Sequence, residues 1–339
     1  MIKFAVIGLD HRHVYHLIEE LLRAGAACAG YWTHTSDPKV LEGVRERFPS
    51  LPEFSDRAAL LEDPSIDLIV TAAIPCDRAA IAVEAMRHGK DVLTDKPGIT
   101  DYAQLMEVEK VVLETGRIFS ICFSERMIVP AVEVALRMVR DGAIGEVIQT
   151  LGMGPHRLNQ RIRPDWFFDP KHYGGILVDI ASHQIDQFLV FSGSDDATIS
   201  HAAVEHFGAH TELSFQDFGE IALASNTNAA RGYIRVDWFT PDGLPTWGDG
   251  RLFVLGTQGS IEIRKYIDIE GRPGTDHLLL ADSKGTRHID CSQEPLSFFD
   301  RLVADVGDRT ETAMSQSHTF TVSRLALDAN TVALRGALA

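Results

Sequence analysis

The first apolar run, residues 2–7, stops at Gly8 and gives way to a helical pattern over about 12–23. A run this short, closed by glycine and followed by a 3.6-residue period, reads as buried strand, tight turn and helix. The same unit recurs. Strands are expected at 26–32, 68–73, 91–93 and 118–122, with helices at 78–88 and 101–115. Strands alternating with helices of that length need parallel crossovers, which makes the first third of the chain α/β, a doubly wound parallel sheet.

The period changes after Cys122. A helix is expected over 130–140, and a strand opens at Gly145-Glu146-Val147. Further on, strands are expected at 198–207, 218–225, 229–239, 251–255, 260–269, 277–282 and 286–289. Turn signals such as Pro241-Asp242-Gly243 and Ser283-Lys284-Gly285 separate them, which predicts an antiparallel meander before a final helix over about 318–338. Between the two halves lies YGGILVDIASHQID, residues 173–186. Leu177, Ile180, Ala181, Ile185 and Phe188 share one side, while Asp179, Ser182, His183 and Asp186 recur at three- and four-residue steps. This pattern predicts one amphipathic helix opened by two glycines, with Asp179 and His183 on one face. A carboxylate at that spacing can orient an imidazole that trades protons near neutral pH; a solvated polar face with a helical ion pair is the alternative.

Composition narrows the choices. At 339 residues two domains are expected, and 45% hydrophobic with 24% charged residues describes a globular chain. A net charge of −16 argues against a nucleic-acid partner and against a polybasic membrane surface. No apolar run reaches membrane-spanning length. Cys28, Cys76, Cys122 and Cys291 have no metal-ligand spacing, and the chain enters its first strand without a leader pattern, so reduced thiols and a cytoplasmic location are expected.

In doubly wound sheets ligands sit at the carboxyl ends of the strands, where Gly8, Ile74-Pro75 and Asp95-Lys96 fall. The dinucleotide turn GxGxxG is written here GLDHRH, residues 8–13, and keeps only its first glycine. Asp10 takes the place of the glycine that lets backbone approach a pyrophosphate, unless it turns inward to cap the helix. Arg12 and one of His11 and His13 are the expected phosphate or substrate contacts. His11, His13 and His16 lack metal-ligand spacing, and no metal is expected. Strand two ends Trp32-Thr33-His34-Thr35, with Asp37 only later, so the acid that grips a ribose is missing. NAD and NADP are both open; Thr33, His34, Thr35 and Lys39 are candidates for a 2′-phosphate. Pro97 restrains Lys96 to an extended backbone that aims it into the crevice, although a Lys before Pro is also an ordinary surface residue. Arg157, Arg161 and Arg163 precede the 173–186 stretch and suit an anionic substrate group or, equally, a solvated loop. Trp166 suits stacking on a substrate ring or loop anchoring, Arg126 is a lesser substrate candidate, and Trp247 is placed to close a site or to cover a sheet edge.

The ordered set of Gly8, TAAIPCDRAAIAVEAMRHGKDVLTDKPGIT (71–100), GAIGEV (142–147) and W…GGILVDIASHQID (166–186) resembles the Gfo/Idh/MocA family over almost the whole chain. The last segment matches that family's GGxxxDxxxHxxD pattern. The resemblance implies a Rossmann dinucleotide-binding domain over 1–123. It also implies a substrate-binding and oligomerisation α/β domain over 124–339, with a large open, mostly antiparallel sheet that pairs protomers into a dimer or tetramer. It further implies a nicotinamide cofactor and a polyhydroxylated substrate, a sugar, cyclitol or sugar acid. Lys96 matches the lysine of the family's EKP, with Asp95 for its glutamate; Asp179 and His183 match the catalytic pattern. By this resemblance His183 takes a hydroxyl proton, Lys96 hydrogen-bonds the developing carbonyl and Asp179 orients substrate or His183. Departures fall on the phosphate turn, on the strand-two acid, and on Arg78-Ala79 where the family often has a histidine. Relatives that hold NAD for a net non-redox reaction, and ligand-sensing relatives without catalysis, are the other classes the resemblance allows.

Overall fold

The computed structural model describes residues 1–35 and 38–336; Asp37 and the last positions of the expected terminal helix lie outside them. The first unit runs β1 (Lys3–Leu9), α1 (Val14–Arg23), β2 (Ala27–Trp32), α2 (Pro38–Arg47), α3 (Ala58–Leu61), β3 (Leu68–Ala72), α4 (Pro75–Arg87), β4 (Asp91–Asp95), α5 (Tyr102–Thr115) and β5 (Phe119–Cys122). Its five strands are all parallel in the order β2-β1-β3-β4-β5. β3, β4 and β5 are buried at every residue, as strands covered by helices on both faces must be. The order reverses between β1 and β3, which opens a crevice at the carboxyl ends of these strands.

The second unit begins with α6 (Ser124–Met127), α7 (Pro130–Arg140) and β6 (Val147–Pro155), then α8 (Pro170–Tyr173), α9 (Ile176–Asp179) and α10 (Ala181–Ser192). Strands β7 (Ala197–Glu205), β8 (Phe218–Ser225), β9 (Arg231–Asp237), β10 (Arg251–Gly256), β11 (Gly259–Arg264), β12 (His277–Asp282) and β13 (Gly285–Ile289) follow, before α11 (Phe298–Asp308) and α12 (Gln316–Gly336). The expected single meander is two. β7-β8-β9 and β10 to β13 are antiparallel ribbons, and β6 lies between them, parallel to β9 and antiparallel to β10. β6 comes before α10 in sequence, so its pairing with β9 is a crossover that local alternation cannot reveal.

One face of the eight-stranded sheet is buried under α7, α9 and α10; on β8, Ile221 and Leu223 point to this core. α12 packs on β7, α9 and α10 and reaches back to α5 and β5, so the chain end fastens both units. The helix expected over 173–186 opens at its two glycines, with Gly174 (φ +85) ending α8 and Gly175 (φ +92) preceding α9, but it is broken once within, where Ile180 (φ −100, ψ −48) separates α9 from α10. Nor is the polar side solvated: Asp179, Ser182, His183 and Asp186 are all buried, because α9 and α10 lie between the large sheet and the first unit. Helix α11 was not expected; its buried Phe298, Phe299, Leu302 and Val306 follow a turn-rich segment that masks the period.

Candidate active site

Asp95, at the end of β4, is the centre of the first wall. Its carboxylate is fully buried and takes a hydrogen bond from the ring of His13 (Nδ1 to Oδ1, 2.9 Å). His11 Nδ1 and Arg78 Nη2 stand 3.0 and 3.2 Å from Oδ2. Burial alone would raise this carboxyl, but His13 and Arg78 hold it well below the usual range. Arg78 also ties down the loop that follows: Nε donates to the Ala73 carbonyl at 2.7 Å, and Nη1 to those of Asp95, Lys96 and Pro97 at 3.0, 2.6 and 3.1 Å. Sequence reasoning registered Arg78 only as a departure from the family pattern. Its position in the first turn of α4, just after a strand end, was the available signal.

The phosphate turn folds onto β3, since the amides of Asp10 and His11 both donate to the Ala72 carbonyl at 2.9 Å. Gly8 makes that turn at φ +88. The N-cap position of α1 is His13, whose side chain makes no capping bond. His11 and His13 direct Nδ1 at Asp95, and Arg12 is exposed at the helix start. Ring nitrogens of His11 and His13 lie with an Asp95 oxygen inside 4.8 Å, a span that suits a metal ion, yet the Arg78 guanidinium already neutralises that carboxylate.

Lys96 is buried, and its Nζ donates to Asp179 Oδ1 at 2.9 Å. The Asp179 carboxylate is therefore spent on Lys96, and the helical Asp179–His183 pairing expected from spacing is not the contact observed. Burial pushes Asp179 up, and the Lys96 ammonium outweighs it, so the carboxyl titrates below its ordinary value. His183 is 2% exposed, lies edge-on to Phe123, and its Nδ1 has no hydrogen-bond partner. Burial lowers it to about 3, against the Glu125 carboxylate and with the help of the Lys96 charge. It is neutral at pH 7.

These groups share one cavity of about 470 Å³. Its lining includes Asp10, His11, Arg12 and His13 of the phosphate turn, then Lys96, Asp179 and His183, and also Arg163, Trp166 and Trp247. Gly8, Thr33, Thr35, Ile74, Pro75 and Asp95 do not line it; Thr33 Oγ1 accepts from the Thr35 amide at 3.0 Å. Arg163 stacks on Phe167, 4.4 Å from the ring centre, and donates Nε to the Leu158 carbonyl. Arg157 donates to the carbonyls of Pro241 and Leu244. Arg126 is corrected: it is buried in a two-pronged pair with Asp186 (2.6 and 2.7 Å), which His318 also contacts at 2.8 Å, and it is outside the cavity. Its carboxylate partner is sixty residues on, beyond the reach of local pattern. Glu125, His156 and Tyr266, which also line the cavity, and Gln184 and Lys265, which hydrogen-bond Glu125, were missed for the same reason.

A five-stranded parallel sheet, a cavity that begins at its first strand–helix turn, and a buried lysine, aspartate and histidine beyond that turn define an NAD-binding Rossmann oxidoreductase. The chain belongs to the Gfo/Idh/MocA family. Residues 2–123 match the family description "Oxidoreductase family, NAD-binding Rossmann fold", and residues 132–262 match "GFO/IDH/MocA C-terminal domain". A crystal structure from Erwinia carotovora atroseptica SCRI1043, described provisionally as an oxidoreductase, is 43% identical, covers 98% of this chain and 99% of its own, and superimposes with a TM-score of 0.94. The scyllo-inositol 2-dehydrogenase (NAD(+)) of Bacillus subtilis is 26% identical over 296 residues, 84% of this chain and 78% of that protein. An oxidoreductase from Agrobacterium radiobacter in complex with NAD+, L-tartaric acid and magnesium shares the fold at 18% identity, with a TM-score of 0.81 over 99% of this chain and 97% of its own.

Proposed function

We propose that this protein is an NAD(P)-dependent dehydrogenase or reductase acting on a CH–OH group of a sugar, cyclitol or sugar acid. The observation that carries the reading is the buried set of Lys96, Asp179 and His183 in the cavity that begins at the phosphate turn. That turn fits a dinucleotide: Gly8 takes a positive φ, and Arg12 stands exposed at the start of α1, where helix amides favour an anion. When bound, the nicotinamide supplies the hydride acceptor. His183, neutral because it is buried, takes the hydroxyl proton as the carbon loses hydride. Lys96 Nζ donates to the same oxygen as it becomes a carbonyl, and Asp179 holds the ammonium in place. In reduction the roles reverse.

Calorimetric titration with NAD, NADH, NADP and NADPH, followed by nucleotide absorbance in the presence of scyllo-inositol or D-xylose, tests this reading. Binding of one pair and turnover of a polyol are expected; no binding of any of the four by folded protein would sink it. The outward face of the large sheet exposes Leu151, Tyr233 and Leu255, and a second copy of the chain is its proposed cover. Sedimentation should show a dimer or tetramer that Leu255→Glu weakens.

A further inference from the structure

The cavity wall holds a second polar group that the proton-transfer set does not use. Glu125, in α6, is 2% exposed, and its Oε2 receives Lys265 Nζ at 2.6 Å and Gln184 Nε2 at 2.9 Å. Its other oxygen, Oε1, is buried and has no hydrogen-bond partner, although Glu125 lines the cavity. Lys265 is 1% exposed, so the pair is enclosed by protein. Room is made for it on the sheet: at Gly154 a Cβ would lie 2.8 Å from Gln184 Nε2. A buried ion pair is costly, and one that leaves a carboxylate oxygen unpartnered against a cavity costs more. A ligand group that donates to this oxygen would complete the arrangement.

An ionised carboxylate only accepts hydrogen bonds. Its ligand must bring a donor, and a hydroxyl does so where a substrate carboxylate would set acceptor against acceptor. Of the guanidinium groups that an anionic substrate would need, Arg157 is held by carbonyls and Arg126 by Asp186, and Arg163, which lines the cavity, is held through Nε by the Leu158 carbonyl, more weakly through Nη2 by the Arg157 carbonyl at 3.4 Å, and by the Phe167 ring. Lys96 is paired with Asp179. Arg12 stands at the phosphate turn, where the cofactor's own anion belongs.

We propose that Glu125, fixed by Lys265 and Gln184, is a specificity-determining residue that accepts a hydrogen bond from a second substrate hydroxyl, so that the site selects a neutral polyol over a sugar acid. This rests on the dehydrogenase reading for the identity of the site and narrows its substrate class. The related proteins span both options, one named for scyllo-inositol and one seen with L-tartaric acid.

The test is calorimetric titration of the protein–NADH complex with scyllo-inositol and D-xylose against L-tartrate and D-xylonate. Neutral ligands should bind at least tenfold tighter. Tighter binding of the acids, or binding of none of the four, overturns the proposal. Polyol binding without nucleotide turnover would instead remove the dehydrogenase reading and leave the Glu125 assignment standing. Two variants complete the test. Glu125→Leu with Lys265→Met removes the pair without stranding a charge and should raise KM for the neutral substrate about 10- to 100-fold, with a smaller fall in kcat. Glu125→Gln turns an acceptor into a mixed group and should cut the neutral-to-acid ratio about tenfold. If the double variant melts like wild type and keeps its KM, or the ratio is unmoved in Glu125→Gln, Glu125 is a structural ion pair only.

Discussion

Burial lowers His183 to about 3, which keeps the ring neutral and able to accept a proton at pH 7 while weakening it as a base. His183→Ala should lower kcat by about 10²- to 10⁴-fold while leaving the dinucleotide Kd unchanged, in steady-state kinetics and calorimetry respectively. Lys96 carries two duties that separate variants can split. Lys96→Met leaves Asp179 as a buried charge without its partner, which costs roughly 3–5 kcal/mol in urea unfolding as well as turnover. Lys96→Met with Asp179→Leu should recover most of that stability and none of the turnover; turnover in the double variant would mean that Lys96 only balances charge. Arg126 has the structural duty alone. Arg126→Met should lose a similar roughly 3–5 kcal/mol, with KM unmoved in the folded fraction, because its partner is Asp186 outside the cavity. Lys96, Asp179 and His183 were legible because their motifs are local. Glu125 with Lys265, and Arg126 with Asp186, were not, since each pair joins residues 140 and 60 positions apart.

At the scale of elements, the first unit could be read because each parallel strand is a short apolar run closed by a turn, a signal contained in a few residues. The observed β3 and α7 differ from the expected ranges by at most one residue at either end. The register of the second sheet was hidden, because β6 pairs with β9 from far along the chain, where α10 packs on both strands. The turn before α9 has its own physics. Gly175 sits at φ +92, ψ 160, a region that residues with a Cβ avoid, and a Cβ there would meet Gln216 Oε1 at 2.7 Å. That same Gln216 oxygen accepts the Ile176 amide at 2.8 Å and so fixes the start of α9, whose last residue is Asp179. Gly175→Ala should therefore cost roughly 1–3 kcal/mol in chemical denaturation. It should also reduce kcat, because α9 is displaced; a loss of stability with kcat intact would mean that α9 tolerates the shift.

The whole molecule gathers buried and half-buried histidines around one cavity, and this sets its response to acid. Burial lowers His11, His16 and His183 to about 3 and His156 to about 4, against an ordinary value near 6.5. In each case the folded state favours the neutral ring, so the unfolded chain binds more protons as pH falls below about 6.5. Stability from these groups is complete above that pH and is lost progressively as pH falls toward 4, where the ring of His156 begins to charge in the folded protein. The carboxylates act in the same direction at lower pH: Asp179 and Asp186 are held below their ordinary values and protonate first in the unfolded chain. One such histidine gives a slope of about 1.4 kcal/mol per pH unit. Urea unfolding between pH 6 and 4.5 should then show a steeper fall than that, with more than one proton taken up per molecule unfolded. His16→Gln, which removes a half-buried ring whose Nε2 has no hydrogen-bond partner, should make the slope shallower. A stability that is level from pH 7.5 to 5 would mean that these rings are hydrated and charge freely in the folded protein, His183 among them.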